Sequence, residues 1–195
     1  MPGIPPHAGP QLMVAACVLL SIGSPALAQS PDSTPRPGRN RAAYERLAFL
    51  EGTWTREPGA FYASGPDETP YTERCAWLAG GRRHMVCHGS FGAGAAAKAT
   101  IGITSYRPAD STYVYYAAFP SGGTLEYEGR AEADGWLYTL QPNPLIPGGT
   151  RLRTRLTRVG DDVLRFVEEA STDGGPWQVT EDYRHRRVAD NGRDS

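Results

Sequence analysis

Histidine, cysteine and clustered carboxylates are sparse in this chain, so each can be weighed by its position. His84 and His88 stand four apart in the segment HMVCH. The surrounding residues alternate as in a strand, where that spacing keeps both on one face but about 13 Å apart. Zinc needs convergent donors at about 2 Å, so HMVCH is not a metal motif. Cys87 faces away from both imidazoles, which also argues against a Cys–His nucleophile pair. His185 lies far along the chain and reaches either histidine only through the fold. No metal site is expected.

The carboxylates Glu168-Glu169 and Glu181-Asp182 fall in two strands expected to be neighbours, on either side of the turn Asp173-Gly174-Gly175. Successive strand residues point to opposite faces, so only one of Glu168 and Glu169 can be interior. A buried carboxylate acquires a raised pKa and can act as acid or base. Pairing with Arg165 or Arg184 on the surface is the competing role. Trp177, Val179, Glu181, Tyr183 and His185 share one face if the strand alternates without interruption. With Trp77, Tyr106, Tyr116 and Trp136, these aromatic and polar side chains could line or rim a cavity for an apolar or amphipathic molecule. A packed core also needs aromatics. The chain has no nucleophile elbow, phosphate loop or dinucleotide fingerprint, and Gly92-Ala93-Gly94-Ala95 lacks the spacing for one. No catalytic residue and no cofactor are assigned.

Cys75 and Cys87 flank AWLAGGRRHMV. A turn centred on Gly81 sets 75 opposite 87, close enough for a disulfide. A turn centred between Gly80 and Gly81 would leave two separate thiols, so the bridge depends on the register.

The elements that hold these residues follow from the pattern of the chain. Residues 12–22, LMVAACVLLSI, form an apolar run shorter than the roughly 20 residues of a membrane-spanning helix. Gly23, Ser24 and Pro25 then precede Ala26-Leu27-Ala28, a small-x-small cleavage signal. Residues 1–28 read as a signal peptide, although no Lys or Arg precedes the apolar run. The mature chain is therefore expected in the periplasm or secreted, without stable membrane insertion. Residues 29–40 read as a flexible linker, 41–188 as a single domain and 189–195 as a disordered tail. A formal net charge of −1 offers no excess of cations for nucleic acid. Self-association is compatible with the sequence, but its order is not determined.

Ala43, Leu47 and Leu50 recur at helical spacing beside Tyr44, and Gly52 ends the run. So short a helix is marginal alone and must lean on a sheet. Beyond it, about ten alternating segments are joined by short Gly, Asp, Ser and Pro turns. Parallel strands would need long crossovers, so an antiparallel meander is predicted. Closure into an all-β, ten-stranded up-and-down barrel hides both edges. In 150–157, Arg151, Arg153 and Arg155 share the face opposite Leu152, Thr154 and Leu156, and belong in water. The outward residues lack the continuous apolar band of a membrane barrel.

The segments LAFLEGTW at 47–54, WLAGGRR at 77–83, SYRPADSTYVYYAAFPSGG at 105–123, the Gly135-Trp136 turn and STDGGPWQVTEDYR at 171–184 resemble the calycin-like β-barrels. Among these, the chain is most similar to an uncharacterised bacterial group of small lipocalin-like domains, the DUF1579 type. The resemblance places Gly52 and Trp54 at the helix-to-strand junction that closes one barrel end. Nitrobindin-like relatives, which bind heme, carry a longer GxWxGxG signature. Here Trp54 is followed by Thr55, Arg56 and Glu57, so the resemblance does not extend to that signature.

The leading expectation is an exported barrel that binds a small hydrophobic or amphipathic ligand. An isomerase, cyclase or hydrolase acting on such a ligand is the second, and an interaction module with a filled barrel the third.

Overall fold

The computed structural model describes residues 37–65, 67–79 and 81–189. The signal peptide, residues 29–36 of the linker and residues 190–195 of the tail lie outside the described residues. Helix α1, Pro37–Leu47, begins four residues before Arg41, inside the stretch read as linker. Proline is well placed in a first turn, where its missing N–H has no intrahelical acceptor to lose. A single 3-10 turn, Ala48–Leu50, continues α1 into β1, Gly52–Arg56.

The remaining strands are β2 (Phe61–Tyr62), β3 (Tyr71–Trp77), β4 (His84–Phe91), β5 (Lys98–Arg107), β6 (Thr112–Ala118), β7 (Thr124–Glu132), β8 (Gly135–Leu140), β9 (Thr150–Arg158), β10 (Val163–Thr172) and β11 (Gln178–Val188). From β3 to β11 each strand pairs antiparallel with the next, while β1 pairs with both β3 and β11. That last pairing closes the sheet on itself and removes its edges. Ten strands thus form the barrel. The two-residue β2 was not foreseen in the Gly/Ser/Pro segment after β1; it pairs with β11 beyond the β1 contact, at Tyr62↔Glu181.

Cys75 stands opposite Cys87 in the β3–β4 ladder, and the two form a disulfide with Cα atoms 3.9 Å apart. The hairpin adopts the register centred on Gly81. A bridged loop this short contributes about 2–3 kcal/mol by restricting the unfolded chain.

One barrel end is plugged. Leu47 and Leu50 are buried there with Trp54, Met85, Tyr113 and Trp136, and Ala43, Tyr44 and Tyr106 pack against them. Full burial of an aliphatic side chain such as Leu47 stabilises by about 1.5–3 kcal/mol, which supplies what the short helix lacks alone. Polar bonds fix its seat. The Tyr113 hydroxyl donates to the Ala43 carbonyl (3.2 Å), the Tyr44 hydroxyl to the Tyr106 carbonyl (3.2 Å) and Arg46 to the Glu132 carbonyl (2.7 Å). At Gly52 the backbone takes a positive φ of 124°, and a Cβ would lie 2.7 Å from the Arg187 guanidinium. Glycine meets both demands.

The outer face of β9–β11 is charged. Arg153 binds Glu169 through two nitrogens (2.7 and 3.0 Å), Arg155 reaches Glu132 (2.9 Å) and Arg165 holds Asp182 (2.6 Å). No described helix is long and apolar enough to cross a membrane.

Candidate functional site

Above the plug the interior is open, with a cavity of about 510 Å³. Its floor is Leu50 and Trp54, and its two walls differ. From β4 to β8 come Phe91, Tyr115, Ala117, Leu125, Tyr127 and Tyr138, an aromatic and aliphatic surface. From β1, β3, β10 and β11 come Arg56, Glu73, Glu168, Glu181, Tyr183 and His185. The alternation of each strand sets this division. Arg56 lies two residues beyond the inward Trp54, Glu73 two before the inward Cys75, and Gly102 faces Tyr115. At Gly102 a Cβ would lie 2.9 Å from the Tyr115 ring, so glycine lets that ring lie flat on the wall.

The polar wall is heavily acidic. Its one arginine is already engaged, since Arg56 donates to the Tyr62 hydroxyl and the Thr69 carbonyl and lies 3.5 Å from Asp67. Its guanidinium also sits over the Tyr183 ring, 5.8 Å from the centroid. His185 is 6% exposed, and its Nδ1 lies 3.2 Å from Glu73 Oε1. The Tyr71 hydroxyl donates to the other Glu73 oxygen at 3.1 Å. In a neutral ring whose Nδ1–H donates to Glu73, the lone pair lies on Nε2. Nε2 is buried and has no hydrogen-bond partner. Tyr71 and Tyr183 flank the imidazole with ring centroids 5.2 Å away.

Glu168 and Glu181 stand directly opposite each other in the β10–β11 ladder and both line the cavity. Thr180 donates to Glu168 at 3.1 Å, whereas Glu181 accepts no hydrogen bond from the described residues. Burial raises the pKa of Glu168. Burial, followed by the charge of Glu168, pushes Glu181 up to about 7, against the opposing effect of Arg56.

Of the eight residues singled out for ligand contact, Glu181, Tyr183 and His185 line the cavity. The other five do not. Tyr106 packs in the plug between Tyr44 and Tyr113, and Trp136 is fully buried against Tyr113. Trp77 lies at the plugged end, bonded to Glu51 (3.1 Å) beneath Arg82. Tyr116 is on the outer face, 39% exposed, and its neighbour Tyr115 points inward instead. Trp177 stacks under Arg153 at 4.3 Å, outside.

Trp177 does not share the face of Glu181 because β11 carries a bulge. Glu168 pairs with Glu181 but Glu169 pairs with Val179, leaving Thr180 as an extra residue. One extra residue turns everything before it to the other face, so Val179 and Trp177 point outward. Glu181, on the other side of the bulge, keeps the inward face of Tyr183 and His185. Alternation alone could have revealed Arg56 and Glu73 once Trp54 and Cys75 were assigned inward. Tyr115, Tyr127 and Tyr138 carried no comparable signal.

Among the described residues, the grouping of Glu73, Cys75 and Cys87 has metal-ligand types. Both sulfurs are consumed by the disulfide, so it offers no thiolate.

The chain is structurally similar to a solved protein, the crystal structure of Rv2717c from M. tuberculosis. The two share 22% identity with a TM-score of 0.54, over 75% of this chain and 97% of that one. That likeness establishes a shared barrel fold. No family model matches the chain, and no curated protein matches it.

Proposed function

We propose that this chain is an exported calycin-like barrel that binds a small amphipathic molecule inside the barrel. One observation carries the reading: the interior is a cavity of about 510 Å³ with one aromatic wall and one polar wall. That volume lies within the range of about 300–1,000 Å³ typical of small-molecule sites. A barrel that served only as a scaffold would gain by filling this space, since buried voids forgo dispersion contacts. Export rests on the signal-like residues 1–28, and the Cys75–Cys87 disulfide suits an oxidising compartment.

Displacement of the neutral fluorophore N-phenyl-1-naphthylamine tests the reading. Wild-type protein should take up the probe. Ala117→Trp, which projects an indole into the cavity, should weaken uptake by about tenfold or more, a loss of about 1.4 kcal/mol. Its thermal melt checks that the barrel still folds. Equal uptake by a folded Ala117→Trp, or none by wild type, rejects the proposal.

A second reading, an isomerase, cyclase or hydrolase acting on such a ligand, is favoured by the Glu73–His185 contact. The carboxylate orients the ring, and Nε2 is left as a candidate proton acceptor. Here a ligand recovered from the protein should be converted on incubation with wild type and remain unchanged with His185→Asn. Recovery of the same ligand, unaltered by wild type, removes this reading and leaves binding in place.

A further inference from the structure

Among the charged groups that the barrel turns inward, carboxylates outnumber cations. Glu168 and Glu181 offer carboxylate oxygens, and they stand opposite each other on the same face of adjacent strands. Like charges in that relation destabilise a sheet. Thr154, 6% exposed, stands opposite Glu168 in the β9–β10 ladder, and its Oγ1 has no hydrogen-bond partner. All three groups can accept a hydrogen bond. The cation that might have satisfied them, Arg56, spends its guanidinium on Tyr62, Asp67 and Thr69.

We infer that the cavity selects a ligand with a protonated primary amine at one end and an apolar body at the other, the ammonium group seated between Glu168 and Glu181. This rests on the ligand-binding reading above and adds the chemistry of the head group. An ammonium brings three N–H donors and one positive charge, so it relieves the carboxylate pair and can donate to the Thr154 hydroxyl. Aromatic faces add to the preference. Tyr127 lines the cavity, and the negative face of an aromatic ring attracts a cation. The opposite wall then covers the apolar body. A carboxylate-headed molecule would meet two carboxylates. An alcohol would supply one hydrogen and no charge.

The buried, unpartnered Thr154 hydroxyl is a sign, independent of the carboxylates, that a polar partner is missing there, because a buried polar group without one is costly.

Calorimetric titration of the full-length exported protein at pH 8 with octylamine, octan-1-ol and octanoate tests the inference. Octylamine should bind at least about tenfold more tightly than octan-1-ol, with octanoate weakest. In the double variant Glu168→Gln, Glu181→Gln, the amine and the alcohol should bind alike. Binding of all three by wild type without preference for the amine overturns the inference and leaves the ligand-binding reading intact. So does a double variant that retains the preference. Failure of wild type to bind any of the three, together with failure to bind the neutral fluorophore, overturns both.

Discussion

Trp54→Ala should destabilise the barrel by about 3–5 kcal/mol, the usual cost of deleting a buried indole. A domain of this size is stable by only about 5–15 kcal/mol, so the variant should lie close to unfolding. Trp54 is 1% exposed and joins several parts of the plugged end. Its Nε1 donates to the Leu50 carbonyl at 2.8 Å, tying β1 to the turn that precedes it. The Arg187 guanidinium lies over its face at 4.2 Å and donates to the Phe49 carbonyl at 2.6 Å. Phe49 itself packs on the indole with centroids 5.5 Å apart. Alanine would open a void, leave the Leu50 carbonyl without its donor and remove the ring on which Arg187 rests. Trp54→Phe keeps most of the packing but not the donor, and should cost about 1–3 kcal/mol. Urea denaturation of both variants measures the effect. A loss below about 1 kcal/mol for Trp54→Ala would show that the junction does not depend on the indole.

Glu181→Gln should stabilise the unliganded protein at pH 8 by about 1–3 kcal/mol and flatten its stability between pH 4.5 and 7. Burial and then Glu168 raise the Glu181 pKa to about 7, with Asp67 adding to the shift and Arg56 opposing it. The folded protein therefore retains a proton that the unfolded chain releases near its ordinary value of 4.5. Stability from this group is fully present below that value, declines as pH rises, and is lost once pH passes the folded value. Glu168 is raised as well, so its contribution has the same sign. Glutamine cannot ionise and removes the Glu181 part of the slope. Urea unfolding of wild type and variant at pH 5 and pH 8 checks this, and parallel profiles would contradict it. A bound amine should reverse the comparison, because the ionised pair becomes its counter-charge.

The architecture was largely legible in the chain. Period-two alternation broken by Gly, Asp, Ser and Pro marks strands and their turns locally, and short turns leave few topologies open. All ten barrel strands were placed this way, as was the helix that plugs them, although α1 starts at Pro37 and not at Arg41. The Cys75–Cys87 bridge was legible on condition of register, because symmetry about Gly81 is a property of spacing. The outward arginines of β9 followed from the cost of burying three guanidiniums.

The cavity itself was less accessible to that reasoning. Whether an inward side chain fills the plug or lines a space depends on its height along the barrel, and a strand's alternation does not encode height. Trp136 and Tyr106 therefore went to the plug while Tyr115, Tyr127 and Tyr138 reached the cavity. Trp177 shows a second kind of loss. A bulge changes the face of every residue on one side of it, and nothing in the run PWQVTEDY marks the extra residue. The sequence by itself determined a closed antiparallel barrel, its helical plug and the identity of its acidic residues. Only the tertiary structure decided that Glu73, Glu168 and Glu181 meet on one interior wall, because their encounter depends on strand register and closure between segments far apart in the chain.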